Sequence, residues 1–283
     1  MSNIVQQNKS VLPFLKWVGG KSRLLQQYQN YLPKISDIKT YYEPFLGGGS
    51  VFFHLQPNLA VLSDINQDLI ETYCSVRDNL EELMNLLQIH QNNHNNDYSK
   101  NHEYYYQVRS RIYNTPIERA ARLIYLNRTC FNGLYRVNSK GEFNVPVGKY
   151  KNPKICNPDL LYSASAALKS AKIEVRNFEE ILDHAKTSDD FVYFDPPYHP
   201  LNNTSYFTAY SADSFNKDNQ IRLRNIFAEL ANRGVKVMLS NSDCKFIREL
   251  YSEFNIHEIL ASRVINSNAQ KRGKISEVLV TSY

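Results

Sequence analysis

The four residues Asp195-Pro196-Pro197-Tyr198, directly behind the apolar stretch Phe191-Val192-Tyr193-Phe194, carry the most explicit chemistry in the chain. The stretch is aromatic and β-rich and reads as a buried strand, which puts Asp195 at its carboxyl end. Open α/β sheets place their ligands at that end. Two prolines fix φ and take the backbone out of the strand on one rigid, non-helical path. Pro196 and Pro197 have no N–H, so the turn offers the Asp195 carboxylate and carbonyl oxygens as acceptors, with the Tyr198 ring beside them. Acceptors next to an aromatic face suit an exocyclic amine on a flat base. A proline-rich turn that carries Asp and Tyr incidentally would look the same if it stood alone.

Such a turn needs a sheet to hold it, and the rest of the chain supplies one. Tyr41 to Pro44 reads as a first strand, Gly47-Gly48-Gly49 as a turn, and Ser50 to Leu55 as the start of a helix. A second strand runs from Leu59 to Ser63 and ends at Asp64, which lies 17 positions beyond Gly47. Glycines there let the backbone pass close to a ligand, and an acid at about that offset binds ribose hydroxyls in dinucleotide-type folds. This is not a G-x-G-x-x-G fingerprint, and Asp64 could equally cap a helix. Further strands are expected at Ile173 to Val175 and Val235 to Leu239, and a closing pair at Ile256 to Leu260 and Glu277 to Tyr283. A helix is expected over Asp218 to Arg233, stopped by Gly234.

Between these parts the pattern changes. Leu69, Ile70, Tyr73, Val76, Leu80, Leu83 and Leu87 recur at helical spacing, Asn92 to Asn101 is a polar break, and Ile117 to Arg128 reads as another helix. Asn132 to Asn152 is rich in Gly, Asn and basic residues and reads as a small hairpin or ordered loop. The expected organisation is a discontinuous α/β domain, 1–66 and 161–283, split by a mainly helical insertion over 67–160.

Composition narrows the class. A chain of 283 residues with 42% hydrophobic and 22% charged residues is ordinary for a soluble globular protein. No apolar run approaches a membrane span and the first residues are polar, so a cytoplasmic location is expected. The four cysteines form no C-x-x-C pair and the histidines no ligand-spaced cluster with them, so no metal site is expected. A net charge of +5 is compatible with a polyanion partner. Twenty tyrosines, several beside basic residues at Tyr104 to Arg111 and Tyr125 to Arg136, suit either nucleic-acid stacking or half-buried packing.

Four ordered motifs then converge: Phe14-Leu15-Lys16-Trp17-Val18-Gly19-Gly20-Lys21, Tyr42-Glu43-Pro44-Phe45-Leu46-Gly47-Gly48-Gly49-Ser50, Val61-Leu62-Ser63-Asp64 and Asp195-Pro196-Pro197-Tyr198. In this order they resemble the Dam-type (D12 class, alpha group) adenine-N6 DNA methyltransferases, over nearly the whole chain from about Pro13 to Tyr283. The resemblance implies a Rossmann-like S-adenosylmethionine-dependent methyltransferase sheet with an inserted DNA-recognition domain. It implies Asp195, Pro196 and Tyr198 as catalytic residues acting on an adenine flipped out of duplex DNA, with His199 to Asn219 as a flap over the base. It implies cofactor contacts from Trp17, Lys21, Pro44, Phe45, Gly47, Gly49, Asp64 and Asp195. Phe178 is a candidate stacker on the cofactor adenine, although a core Phe would look the same.

Asn127 to Arg136 and Glu142 to Tyr150 resemble the segment that reads 5′-GATC in these enzymes. By position, Arg136 would contact a guanine bidentately, Leu134 and Pro146 a thymine methyl, and Phe131 would wedge into the stack beside Asn132. Lys16 is a candidate for the outer guanine, and Tyr150 belongs to the same set. Lys271, Arg272 and Lys274 read as phosphate contacts or as a solvated basic turn. The partner is double-stranded DNA. A restriction endonuclease for the same site is a candidate second partner, and a monomer is the favoured state. The rivals are a cytosine-N4 methyltransferase, which would usually carry Ser at 195, and a catalytically silent DNA-binding protein.

Overall fold

A computed structural model describes residues 11–94, 98–201, 215–262 and 274–283. The chain gathers into two compact units. The first is the chain to Ser22 with Gly48–Gln56 and Glu71–Lys169; the second is Arg23–Gly47, Pro57–Ile70 and Ser170–Tyr283.

The second unit is built on a seven-stranded sheet. Its strands are β1 (Thr40–Glu43), β2 (Ala60–Asp64), β3 (Ala171–Val175), β4 (Asp190–Phe194), β5 (Lys236–Ser242), β6 (Asn255–Ser262) and β7 (Lys274–Thr281), in the order β3-β2-β1-β4-β5-β7-β6. β1 to β5 are parallel, and β7 inserts antiparallel between β5 and β6. This is the expected Rossmann-like sheet. β4 is buried along its whole length, as a central parallel strand covered on both faces should be. Helix α8 (Lys217–Asn232) buries Leu223, Ile226, Phe227 and Leu230 at helical spacing into a core with Val192, Phe194, Val237, Leu239 and Val278. Asn216 caps it by accepting the Asn219 N–H at 3.0 Å. β5 runs further than the sequence indicates, taking in Ser240, Asn241 and Ser242. Polar residues there look like a strand end, but all three are buried and carry ladder partners on β7.

The first unit is mainly helical: α2 (Ser50–Leu55), most of α3 (Gln67–Asp78), α4 (Leu80–Asn93), α5 (Tyr98–Ser110), α6 (Pro116–Thr129) and α7 (Pro158–Leu168), α1 (Leu25–Tyr28) being in the sheet unit. The long apolar period over Leu69 to Leu87 is two helices, broken at Asn79. The polar Asn-rich segment is narrower than expected, because α4 reaches Asn93 and α5 starts at Tyr98. α5 escapes the sequence pattern because little beyond Asn101, Tyr105 and Val108 is buried along it. α7 escapes because half of its buried stripe, Leu161, Ala164, Ser165 and Leu168, is small residues, one of them polar. α6 matches its expectation and starts with a capping box between Thr115 and Glu118. Residues 130–147 form a minimal hairpin-like loop with antiparallel bridges Cys130 to Val147 and Val137 to Phe143.

The contact grouping differs from the sequence-based boundaries. The segment before Ser22 and α2 go with the helices rather than with the sheet. One physical reason is aromatic: Phe14 packs edge-on against Tyr73 at 4.8 Å and against Phe53 at 6.3 Å, and Phe53 stacks on Tyr73. The tyrosines beside basic residues also resolve in part as packing. Tyr105 and Tyr125 are fully buried, and the Tyr105 hydroxyl donates to the Val145 carbonyl at 2.8 Å.

His90 on α4 stacks on Tyr125 at 4.8 Å, and its Nδ1 lies 2.7 Å from the Tyr104 hydroxyl. Burial, with a smaller contribution from Arg111, pushes its pKa down to about 4. A histidine kept neutral in the fold but free to protonate when unfolded makes acid destabilising. The penalty begins below the ordinary pKa near 6.5 and is complete below about 4. At pH 5 it amounts to about 2 kcal/mol. Urea denaturation at pH 7 and pH 5 should show that loss, and His90→Gln should flatten it. An unchanged pH dependence in the variant would contradict the assignment.

Candidate functional site

In the sheet unit the catalytic candidates stand at the carboxyl end of β4. Asp195 is the first residue beyond the strand. Ser240 Oγ donates to Asp195 Oδ1 at 2.7 Å, and the Tyr193 hydroxyl lies 3.0 Å from the same Oγ. A serine hydroxyl has one proton. Having given it to the carboxylate, Ser240 must accept from Tyr193, so the chain runs Tyr193 to Ser240 to Asp195 in one direction.

The turn after Asp195 is held by side chains because its prolines cannot donate. Gln220 on α8 donates to the Pro197 carbonyl at 2.9 Å and accepts from Asn241 at 3.0 Å. Asn241 Oδ1 accepts the His199 N–H, and Ser242 Oγ donates to the His199 carbonyl at 2.7 Å. Tyr198 is half-buried, and its hydroxyl donates to Glu277 Oε2 at 2.8 Å. Burial first, then Tyr28, Asp195 and Glu277, push its pKa well above the ordinary phenol range. Most of the expected flap, and Lys271 and Arg272, lie outside the described residues, and so does the side chain of Lys274.

At the next parallel strands, Gly47 and Gly49 have φ of 45° and 63°, the left-handed region that favours glycine. Asp64 ends β2 and accepts the Gly47 N–H at 3.1 Å and the Asn66 N–H at 3.0 Å. Burial raises its pKa, opposed by the N–H groups of Asn66, Gly47 and Ile65. Asp64 is not the cap of α3: the Asn66 side chain does that, accepting the Leu69 N–H at 3.1 Å. Pro44 is buried. Phe178 is also buried, with its ring stacked on Phe45 at 5.3 Å and edge-on to Phe215.

The helical unit gathers the other candidates. Lys16, Trp17 and the Phe131–Arg136 segment meet through Asn127, which is 3% exposed. Its Oδ1 accepts the Lys16 N–H at 2.9 Å, and its Nδ2 donates to the carbonyls of Lys16 at 2.7 Å and Gly133 at 3.1 Å. Trp17 stacks on Tyr135 at 5.2 Å. The Lys16 ammonium sits 4.4 Å over the Tyr150 ring, and burial, then Arg128, lower its pKa against an opposing contribution from Cys130. Gly133 has φ of 64° and no room for a side chain, since a Cβ would meet Lys16 Cδ at 2.6 Å. Lys21 is buried rather than solvated, and its ammonium donates to the Gly19 carbonyl. At Gly48 a Cβ would come within 3.2 Å of Trp17 Cβ.

Phe131 is 51% exposed although aromatic, and its N–H is held by the Pro146 carbonyl at 2.8 Å. Pro146 and Asn132 are exposed, Leu134 is half-buried, and Asn132 takes a left-handed φ of 55°. Arg136 donates from Nε to Asn144 Oδ1 at 2.6 Å and from Nη2 to the Asn144 carbonyl at 3.2 Å, which fixes its guanidinium plane. Asn127, Asn144, Ser240, Asn241, Gln220 and Glu277 were not picked out as site residues by the sequence. Asn127 and Asn144 lie inside the two segments singled out from the sequence and Ser240-Asn241 follow an apolar strand run, which are the signals available for them.

Residues 17–265 match the family profile described as D12 class N6 adenine-specific DNA methyltransferase. The chain is 46% identical over 290 residues, covering 99% of both sequences, to the type II methyltransferase M1.LlaDCHI of Lactococcus lactis subsp. cremoris. It is 45% identical over 288 residues to the type II methyltransferase M.MjaIII of Methanocaldococcus jannaschii, covering 96% of this chain and 99% of the relative. Over 271 residues it is 37% identical to the DNA adenine methylase of Escherichia coli strain K12, covering 94% of this chain and 93% of that protein.

The Asn127 junction can be tested without any ligand. Asn127→Ala removes one acceptor and one donor that serve three backbone groups, and unpaired buried groups cost about 1–3 kcal/mol. Denaturant unfolding should show a loss in that range, and hydrogen exchange should show faster exchange of the Lys16 amide. Unchanged protection at Lys16 would mean that the bond is not formed in solution.

Proposed function

Because this chain belongs to the D12 class of N6 adenine-specific DNA methyltransferases, which use S-adenosylmethionine, we propose that it methylates adenine within 5′-GATC with Asp195, Pro196 and Tyr198 as its catalytic residues. The observation that carries the mechanism is the acceptor turn at the end of β4, with Asp195 oriented by Ser240 and Tyr198 beside it. The Asp195 carboxylate and the Pro196 carbonyl accept the two N–H bonds of the target amine. That draws the nitrogen from its planar, ring-conjugated state and directs its lone pair. Tyr198 stacks on the flipped base and limits its tilt. Most of the rate then comes from positioning.

The residues present fit the cofactor. In the sheet unit a left-handed Gly47, whose N–H meets a buried carboxylate at the end of β2, suits a nucleoside with hydroxyls, and in the helical unit Gly48 leaves no room for a Cβ beside Trp17. In the sheet unit Pro44, Phe45, Gly47, Asp64 and Asp195 are the proposed contacts, with Asp64 on the ribose. Phe178 is retained as a support for Phe45 as much as a contact. In the helical unit the proposed contacts are Trp17, Lys21 and Gly49. When bound, S-adenosylmethionine supplies a methyl group on a positively charged sulfur.

Segment 67–160 is proposed as the target-recognition domain. The similarity to a protein named DNA adenine methylase supports adenine as the target base, and the likeness of Asn127 to Arg136 and Glu142 to Tyr150 to the family's GATC-reading segment supports GATC. Arg136 is oriented by Asn144, Phe131 is an exposed aromatic wedge, and Lys16 is seated on Tyr150. Leu134 and Pro146 take the thymine methyl, Asn132 lies beside the wedge, and Lys271 and Arg272 take phosphates. Among the described residues no helix is long and apolar enough to cross a membrane, and the proposed setting is the cytoplasm, with its DNA. The type II names of two relatives favour an endonuclease partner of the same specificity.

Asp195→Ala should abolish methyl transfer with the fold intact, and Asp195→Asn should be nearly as poor because the amide places a donor against the amine. Activity within tenfold of wild type for Asp195→Ala, measured by methyl incorporation into a GATC duplex, would rule the mechanism out. Arg136→Ala should relax preference at one guanine by about fivefold to more than a hundredfold, the worth of a bidentate guanine contact. Competition between duplexes carrying each single substitution of GATC tests this. Equal loss on every duplex would remove Arg136 from base recognition.

A further inference from the structure

Tyr198 lies three residues beyond Asp195 on a turn whose prolines provide no N–H. Its hydroxyl oxygen lies on the ring axis, so a contact there fixes the first side-chain torsion, and because a phenol O–H prefers the ring plane, the direction of its acceptor biases the second. That contact is Glu277 Oε2, 2.8 Å from the hydroxyl. We propose that Glu277 is a positioning residue for methyl transfer: by accepting the Tyr198 hydroxyl it sets the plane on which the target base stacks. The inference rests on the reading of Tyr198 as the stacking residue.

Three observations support the assignment. First, Glu277 is fixed from both sides. It lies in β7, in register with Ser242 of β5 and Ile259 of β6, so its Cα cannot slide along the sheet. Ser242 itself donates to the His199 carbonyl, which ties the same register to the residue after Tyr198. Second, the residue type is costly for its place. Glutamate is depleted in strands, and a half-buried carboxylate needs hydrogen-bond compensation. Val278, Leu279 and Val280, which follow it, are fully buried and show what the strand otherwise selects. Third, the bond has a defined direction. The phenol is protonated at working pH, because burial and the surrounding acidic groups disfavour its anion. It therefore donates, and the Glu277 carboxyl oxygen accepts.

The bond also fixes the division of labour at the site. Ser240 orients the carboxylate that receives the amine, while Glu277 orients the ring that receives the base face. Both lie in the β5–β7 antiparallel pair, so one pair of neighbouring strands would control the in-plane and out-of-plane coordinates of the target nitrogen.

The test is a double-mutant cycle on the full-length enzyme under single-turnover conditions, with S-adenosylmethionine and a GATC duplex. Glu277→Ala and Tyr198→Phe should each slow methyl transfer about tenfold, the scale of one lost hydrogen bond. The double variant should be no slower than either single one. Glu277→Gln keeps an acceptor and should stay within about threefold of wild type. The KM for S-adenosylmethionine should be unchanged throughout. With 2-aminopurine in place of the target adenine, Glu277→Ala complexes should fluoresce more strongly, since a misaligned ring quenches less.

Additive losses in the double variant would overturn the proposal, as would a wild-type rate for Glu277→Ala. Should Glu277→Ala fail to fold, Tyr198→Phe and Glu277→Gln still decide it: a wild-type rate for Tyr198→Phe overturns it. The underlying stacking reading fails separately, if Tyr198→Ala retains wild-type activity.

Discussion

An acceptor turn that contains two prolines cannot fasten itself. Pro196 and Pro197 have no N–H to give, so the turn that presents Asp195 must be held by side chains reaching in from other elements. Ser240, Asn241, Ser242 and Gln220 do this, joined to one another and to the turn by bonds of 2.7–3.1 Å. The price of an acceptor-only surface is thus a cluster of buried polar residues beneath it, and that accounts for polar residues in the body of β5. In a fully parallel sheet edge such residues would lack strand partners. The antiparallel β7 pairs their backbone and frees their side chains for the turn.

A similar economy governs the helical unit. The loop over residues 130–147 is short and contains little regular structure beyond two bridges, so its shape depends on a few contacts. Asn127 ties Lys16 to Gly133, Gly133 leaves space for the Lys16 stem, and Asn144 aligns Arg136. Asn144 thereby fixes the plane of the Arg136 guanidinium. A guanidinium that reads a base needs a defined plane, whereas one that touches phosphate does not.

Much of this was legible from residues alone. The carboxyl end of β4, the glycine turn, Asp64 at the end of β2 and the closing antiparallel pair follow from apolar runs bounded by turn residues. Helices α6 and α8 follow from period and caps. Less legible were α5 and α7, whose buried stripes are interrupted by polar residues or half built from small ones. Asp64 shows a finer limit. Sequence leaves it between capping a helix and meeting a ligand, and the fold gives the cap to Asn66 while binding Asp64 to the glycine turn.

The sequence by itself determined the order of the strands' chemistry: which strand ends in a carboxylate, where the backbone can pass a ligand, and which loop carries Arg136 and Phe131. Those are local properties, fixed by φ restrictions, side-chain size and hydrophobic period. Only the tertiary structure decided which distant side chains hold these groups. Ser240 meets Asp195 from 45 positions away and Glu277 meets Tyr198 from 79. No local propensity encodes such pairings. They arise because β4, β5 and β7 lie side by side in the sheet, and strand order and register are set by the packing of the whole unit.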